Sequence, residues 1–189
     1  MKTIVLIGDS IRMGYQDEVR QQLAEYANVW APTQNGGDSA NVLAHVDEWV
    51  VDRRPDLVHI NCGLHDIKRD HAGENLQTEP EAYRRNVEAI LSRLSAVDGL
   101  QTVWAQTTPV IEERHRTVKG FVRLNSDIRR CNQVAAELCQ AHGVPVNDLH
   151  AVVMDAGREA LLSPDGVHYT HAGYHLLAHA AADFIASRL

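Results

Sequence analysis

The sequence predicts an α/β fold in which a parallel sheet is covered by helices on both faces. Three observations lead there. Short β-branched runs alternate along the chain with longer stretches of helical period, the pattern of strand–helix–strand crossovers. The first run, Thr3 to Ile7, is continuously apolar, as a strand buried on both faces should be. Finally, 189 residues suit one domain with a substantial core, since roughly 100–200 residues per domain is usual.

In chain order, the spacing predicts strands at Thr3 to Ile7, Asn28 to Ala31, Leu57 to Asn61, Gln101 to Ala105 and Val144 to Asn147. Together they make a five-stranded sheet. The intervening helices follow from apolar residues on one face. The first carries Val19, Leu23 and Tyr26, and the second Val42, Val46, Trp49 and Val50. A third is announced by Thr78 and Glu81 at capping-box spacing, with Pro80 in the first turn, and its stripe is Tyr83, Val87, Ile90, Leu91 and Leu94. The fourth holds Leu124, Ile128, Cys131, Ala135 and Leu138, and Gly143 follows where a left-handed cap is wanted. The last runs from about His171 to Ser187. Between the fourth strand and fourth helix, Ile111 to Gly120 reads as a polar loop with Arg114, His115, Arg116 and Lys119.

Composition excludes several functions. Eighteen basic against 25 acidic residues give a formal charge of −7, and no basic block is present, so neither a nucleic-acid backbone nor an anionic membrane surface is an expected partner. No apolar run reaches the length of a membrane span, and the apolar opening stops at Asp9, short of a signal peptide. A soluble, cytoplasmic protein is expected. Cys62, Cys131 and Cys139 lack CxxC spacing and suggest neither a disulfide framework nor a zinc site. No G-x-G-x-x-G or Walker A pattern points to a nucleotide, and no cofactor is expected.

Ligands of parallel α/β sheets bind at the carboxyl ends of the strands, so the turns there are the place to look for chemistry. After the first strand comes Gly8-Asp9-Ser10. A serine on a strand-to-helix turn stands near the positive end of a helix dipole, where a nucleophile is useful; the alternative is that Asp9 or Ser10 simply caps the helix. Ahead of the last helix lies Asp165-Gly166-Val167-His168. There Asp165 would orient the imidazole of His168, and His168 would accept the Ser10 proton; a plain turn before a helix is the competing reading. Acyl transfer also needs donors for a developing oxyanion. Two turns offer them: Asn35-Gly36-Gly37-Asp38-Ser39 and Gly63-Leu64-His65-Asp66, each of which also suits a loop glycine followed by a cap.

In order and spacing these four segments resemble the blocks of the SGNH hydrolase family, often called GDSL esterases, over nearly the whole chain. The resemblance implies a flavodoxin-like, three-layer α/β/α sandwich and a serine ester hydrolase without cofactor. It further implies Ser10 as nucleophile, Asp165 and His168 as its base pair, and the Ser10 and Gly37 amides as oxyanion donors. Where the family has G-x-N-D, this chain has His65 in the asparagine's place. An imidazole can also donate an N–H, so His65 is a candidate third donor with a new pH dependence; pointing away, it would leave a two-donor hole. Asp9, Asp38, Asn41, Asp66 and Thr108 stand where residues supporting the site or touching substrate would be, and capping is an equal alternative for the aspartates. The family implies a small-molecule ester substrate, and the few aromatics favour a short acyl group such as acetyl, on a carbohydrate for example. A lysophospholipase or thioesterase is the alternative within the family, and a non-catalytic flavodoxin-like binding module the alternative outside it.

Eleven histidines are a surplus that invites a metal-dependent hydrolase as another reading. At 100° per residue, however, His171, His175 and His179 share one helix face, with Leu176, Leu177, Ala180, Ala181 and Phe184 opposite. The apolar face is the one to bury, so the histidine stripe is expected in solvent, without a resident metal and without a second ligand cluster.

Overall fold

A computed structural model of the protein describes residues 1–70, 72 and 75–189. Five strands, β1 (Lys2–Ile7), β2 (Ala27–Trp30), β3 (Leu57–Ile60), β4 (Gln101–Ala105) and β5 (Val146–Asn147), form one sheet in the order β2-β1-β3-β4-β5, with every pairing parallel. The register aligns Ile4 with Val29 on one side of β1 and with Leu57 on the other. This is the doubly wound order that the flavodoxin-like expectation requires, and its direction reverses between β1 and β3. The crevice at that reversal, above the strand carboxyl ends, receives the loops after β1 and β3.

Eight α-helices and one 3-10 turn (Val51–Arg53) complete the elements of the described residues: α1 (Ser10–Gln22), α2 (Ser39–Trp49), α3 (Pro80–Ser95), α4 (Glu112–Val118), α5 (Asn125–His142), α6 (Leu149–Asp155), α7 (Arg158–Leu161) and α8 (His171–Ala186). α1 and α6 pack on α8, while α3 packs on α2 and α5. Parallel strands need such crossovers, and covering both faces leaves Ile4, Val5, Leu6, Leu57, Val58, Ile60, Val103 and Trp104 with no exposure. Among the described residues, no helix is long and apolar enough to cross a membrane. Cys62, Cys131 and Cys139 are buried and free, packing as small apolar groups.

The structure corrects the predicted elements in four places. The first helix ends at Gln22 with Leu23 as its cap, so Tyr26 lies on the surface rather than on the apolar stripe. The expected capping box does not form: α3 starts after Glu79 with no side-chain cap, and the Thr78 N–H instead donates to the Asp66 carbonyl. β5 is two residues long because the Val144 N–H is drawn back to the Cys139 carbonyl, closing α5 at Gly143 in the left-handed region. Most of the polar loop after β4 is a helix, α4, with Glu112 and Glu113 in its first turn and Arg116 in its last, charges that match the helix dipole.

Candidate active site

Ser10 is the first residue of α1, reached from β1 in two residues. The side chain of Asp9, itself buried, accepts the Ile11 N–H at 2.9 Å and caps the helix, which settles the capping alternative in favour of Asp9 and leaves the Ser10 hydroxyl unencumbered. Arg12 fixes the turn from beneath. Its guanidinium, with the residue 1% exposed, donates to the carbonyls of Gly8 (3.1 Å), Pro32 (2.9 Å) and Gln34 (2.9 Å) and to the Gln16 side chain. The Gly36 N–H adds a bond to the Gly8 carbonyl at 3.0 Å. A side chain at position 36 would collide with that carbonyl at 2.7 Å, so glycine is required for the close approach.

The loop between α7 and α8 brings the other partners. It folds back on itself through an antiparallel bridge between Leu162 and Tyr169, with the Ser163 N–H donating to the His168 carbonyl at 2.8 Å. Gly166 adopts φ +74° and its carbonyl accepts the Ile111 N–H at 2.8 Å, which binds the loop to the start of α4. Within this frame Ser10 Oγ lies 3.0 Å from His168 Nε2, and His168 Nδ1 lies 2.6 Å from Asp165 Oδ2. The other Asp165 oxygen accepts from the Ser163 hydroxyl (2.7 Å) and the Val167 and His168 amides (2.9 Å each). Burial by itself would raise the Asp165 carboxyl, but the bonds from His168, Val167 and Ser163 outweigh it and hold it well below the usual carboxylate range. Hydroxyl, imidazole and carboxylate in this chain can pass a proton from Ser10 to His168 and stabilise the resulting imidazolium.

Around this line the remaining sites fall into two groups. Asp38 caps α2 through the Asn41 N–H (2.9 Å) and accepts from the Gln77 amide (2.7 Å). Asn41 is turned inward, its amide donating to the Gly36 carbonyl at 2.8 Å. Asp66, 1% exposed, accepts from the Ser39 amide and hydroxyl and so locks the loop after β3 to the start of α2. Thr108 is buried and lines an interior void of about 10 Å³, room for one water, together with Asp9, Arg12 and Asn61. Asp9, Asp38, Asn41 and Asp66 thus brace the loops through their hydrogen bonds. Gly37 and His65 are the front group. Gly37 has φ +66°, and its N–H donates to Asn35 Oδ1 at 2.9 Å on the exposed surface. The half-buried His65 ring has no hydrogen-bond partner among the described residues. Burial first, then Lys68 and Arg123, lower its pKa against the opposing pull of Asp9 and Asp38, favouring the neutral ring with a single N–H.

Three contributors escaped the sequence reading. Ser163 sits two residues before Asp165, a spacing that signals a side-chain turn. Arg12 and Arg123 gave no such signal, because a buried arginine is recognised only once its distant acceptors are known. His115, expected in an exposed loop, is fully buried. The histidine stripe also gains a partner unseen in the sequence: Glu18 of α1 meets His175 and His179, their ligand atoms all within 4.8 Å of one another, with a hydrogen bond between Glu18 and His175. His71 lies outside the described residues.

The chain superposes on a lipase/acylhydrolase from Enterococcus faecalis with a TM-score of 0.84 and 25% identity, covering 100% of this chain and 97% of that one. An acetylxylan esterase from Geobacillus stearothermophilus, Axe2, gives 0.79 and 17% over 97% and 94% of the two chains. A GDSL-like lipase from Bacteroides thetaiotaomicron gives 0.73 and 21% over 100% and 89%. No curated protein shows significant sequence similarity to the chain. The family model of GDSL-like lipases and acylhydrolases matches residues 6–176, a span that takes in all four blocks, and the chain therefore belongs to the GDSL-like lipase/acylhydrolase family as a carboxylic ester hydrolase.

Proposed function

We propose that the protein removes short acyl groups, acetyl or similar, from a small ester by a serine acyl-enzyme route. The observation that carries this reading is the continuous contact from Ser10 through His168 to Asp165, at 3.0 and 2.6 Å. Ser10 Oγ attacks the ester carbonyl while its proton passes to His168 Nε2. The tetrahedral oxyanion is met by the Ser10 N–H, which helix geometry leaves free at the start of α1, by the Gly37 N–H once Asn35 yields it, and by His65. Collapse breaks the ester C–O bond, and the alcohol leaves with the proton from His168. Water then gives a proton to His168 and its hydroxide equivalent to the acyl carbon, and Ser10 recovers the proton as the carboxylic acid departs.

Asp165 keeps one His168 tautomer and Asp9 the start of α1 in place, and no step in this route needs a metal or cofactor. An acylated carbohydrate is the substrate type this reading favours, supported by the likeness in fold to an acetylxylan esterase. The test is a series of p-nitrophenyl esters from acetate to laurate with wild type and Ser10→Ala. Highest kcat/KM at acetate, a fall of at least 10³-fold in Ser10→Ala and indifference to EDTA are expected. Activity that rises with chain length points to a lysophospholipase instead, and wild-type activity in Ser10→Ala removes Ser10 as nucleophile.

A further inference from the structure

Two cations beside this site have no task in the steps above. An antiparallel bridge joins Arg69 to Val122, with N–H to carbonyl distances of 2.9 and 3.0 Å, and thereby sets Lys68 opposite Arg123. Both lie against the Phe121 ring, Lys68 Nζ at 5.3 Å and Arg123 Cζ at 4.9 Å from its centroid. Arg123 is 5% exposed, and its Nε donates to the Leu64 carbonyl at 2.6 Å, one residue from His65. Among the described residues its two terminal nitrogens meet no acceptor, yet neither is sealed away from solvent. Among the described residues Lys68 makes no salt bridge.

Asp9, Asp66 and Asp165 act on the pair through space, but among the described residues none of them bonds to it. Asp165 is engaged by Ser163, Val167 and His168, Asp9 by Ile11, and Asp66 by Ser39. Burial lowers Arg123 to about 10, with Asp9 and Asp165 opposing the shift, so the guanidinium stays charged at neutral pH. A desolvated guanidinium with free donors is unfavourable until an anion completes it, and its planar fork matches two oxygens of a carboxylate or phosphate.

We propose that Arg123 and Lys68 bind an anionic group, carboxylate or phosphate, carried by the ester substrate next to its scissile bond. This rests on the hydrolase reading above. The experiment compares kcat/KM for phenyl acetate with that for 3-acetoxybenzoate and for 3-acetoxyphenyl phosphate, the last two separating carboxylate from phosphate. Wild type should prefer at least one anionic ester by tenfold or more, and Arg123→Gln and Lys68→Gln should each cut that ratio at least fivefold. Lys68 is only half-buried, so its variant reports even where Arg123→Gln does not fold. Equal kcat/KM for all three esters, or a preference that survives both variants, overturns the proposal. Calorimetric titration of Ser10→Ala with 3-acetoxybenzoate and phenyl acetate reads binding without turnover. Anion-selective binding there that Lys68→Gln removes upholds the subsite even if the ester series has excluded Ser10 as nucleophile; its absence counts against the subsite alone.

Discussion

Replacing Arg12 with methionine tests whether the catalytic turn is held in place from below. Methionine fills the space of the aliphatic stem and removes the four donated bonds to Gly8, Pro32, Gln34 and Gln16. The Gly8 carbonyl keeps the Gly36 N–H, but the buried bond to Pro32 and the half-buried bond to Gln34 lose their donor. A buried carbonyl without a partner costs about 1–3 kcal/mol and a half-solvated one less, so the loss is about 2–4 kcal/mol. At about 2–4 °C per kcal/mol for a chain of this size, Tm should fall by roughly 5–15 °C. The segment from Pro32 to Gly36 then loosens against Ser10, and the Gly37 amide loses its fixed position. Because one oxyanion donor is worth about 10²–10³ in kcat, partial loss predicts a decrease of about 10–100-fold, with KM much less affected. Differential scanning fluorimetry and p-nitrophenyl acetate kinetics on the same preparations read both effects. A variant within 2 °C of wild type by fluorimetry, or with an unchanged kcat, would refute the reasoning.

Two further predictions concern histidines. Burial holds both His59 and His115 down to about 4, against 6.5 in the unfolded chain; His59 Nε2 accepts from the Asn147 amide and its other nitrogen has no partner. Between pH 6.5 and 4 the unfolded chain therefore binds more protons, and the stability present above pH 6.5 is lost as pH falls, by about 2–3 kcal/mol for each histidine. Urea denaturation at pH 7.0 and 4.5 should show this loss, and a His59→Gln/His115→Phe variant should show a smaller one; equal pH dependence in the two proteins contradicts it. For the oxyanion, His65→Ala should lower kcat on p-nitrophenyl acetate by about 10²-fold while leaving the fold intact by circular dichroism. An unchanged kcat removes His65 from the reaction.

Much of the molecule is legible along the chain because its signals are local. A buried parallel strand must be apolar on both faces, and Ile4 to Ile7 and Val103 to Ala105 show it directly. The Asp165–His168 pair is also local, since three residues and a glycine turn suffice to bring carboxylate to imidazole. Failures arise where a local signal meets a distant competitor: Thr78 does not cap because the loop after β3 claims its amide, and Glu112–Val118 is a helix because the loop of Gly166 anchors its start at Ile111. The histidine surplus divides in the same way. Exposure of His171, His175 and His179 follows from helical period, whereas the burial of His115 and the approach of Glu18 depend on elements far away in sequence.

The sequence by itself determined the strand-and-helix alternation, the position of the turns that hold Ser10, Gly37, His65 and the Asp165–His168 pair, and the family those turns identify. Only the tertiary structure decided that Ser10 meets His168 across 158 residues, that Arg12 ties two loops together, and that Lys68 and Arg123 stand together beside the site. The reason is physical. Periodicity records which face of an element is buried, but the partner of a buried charge is chosen by sheet order and loop pairing, which no single stretch of chain contains.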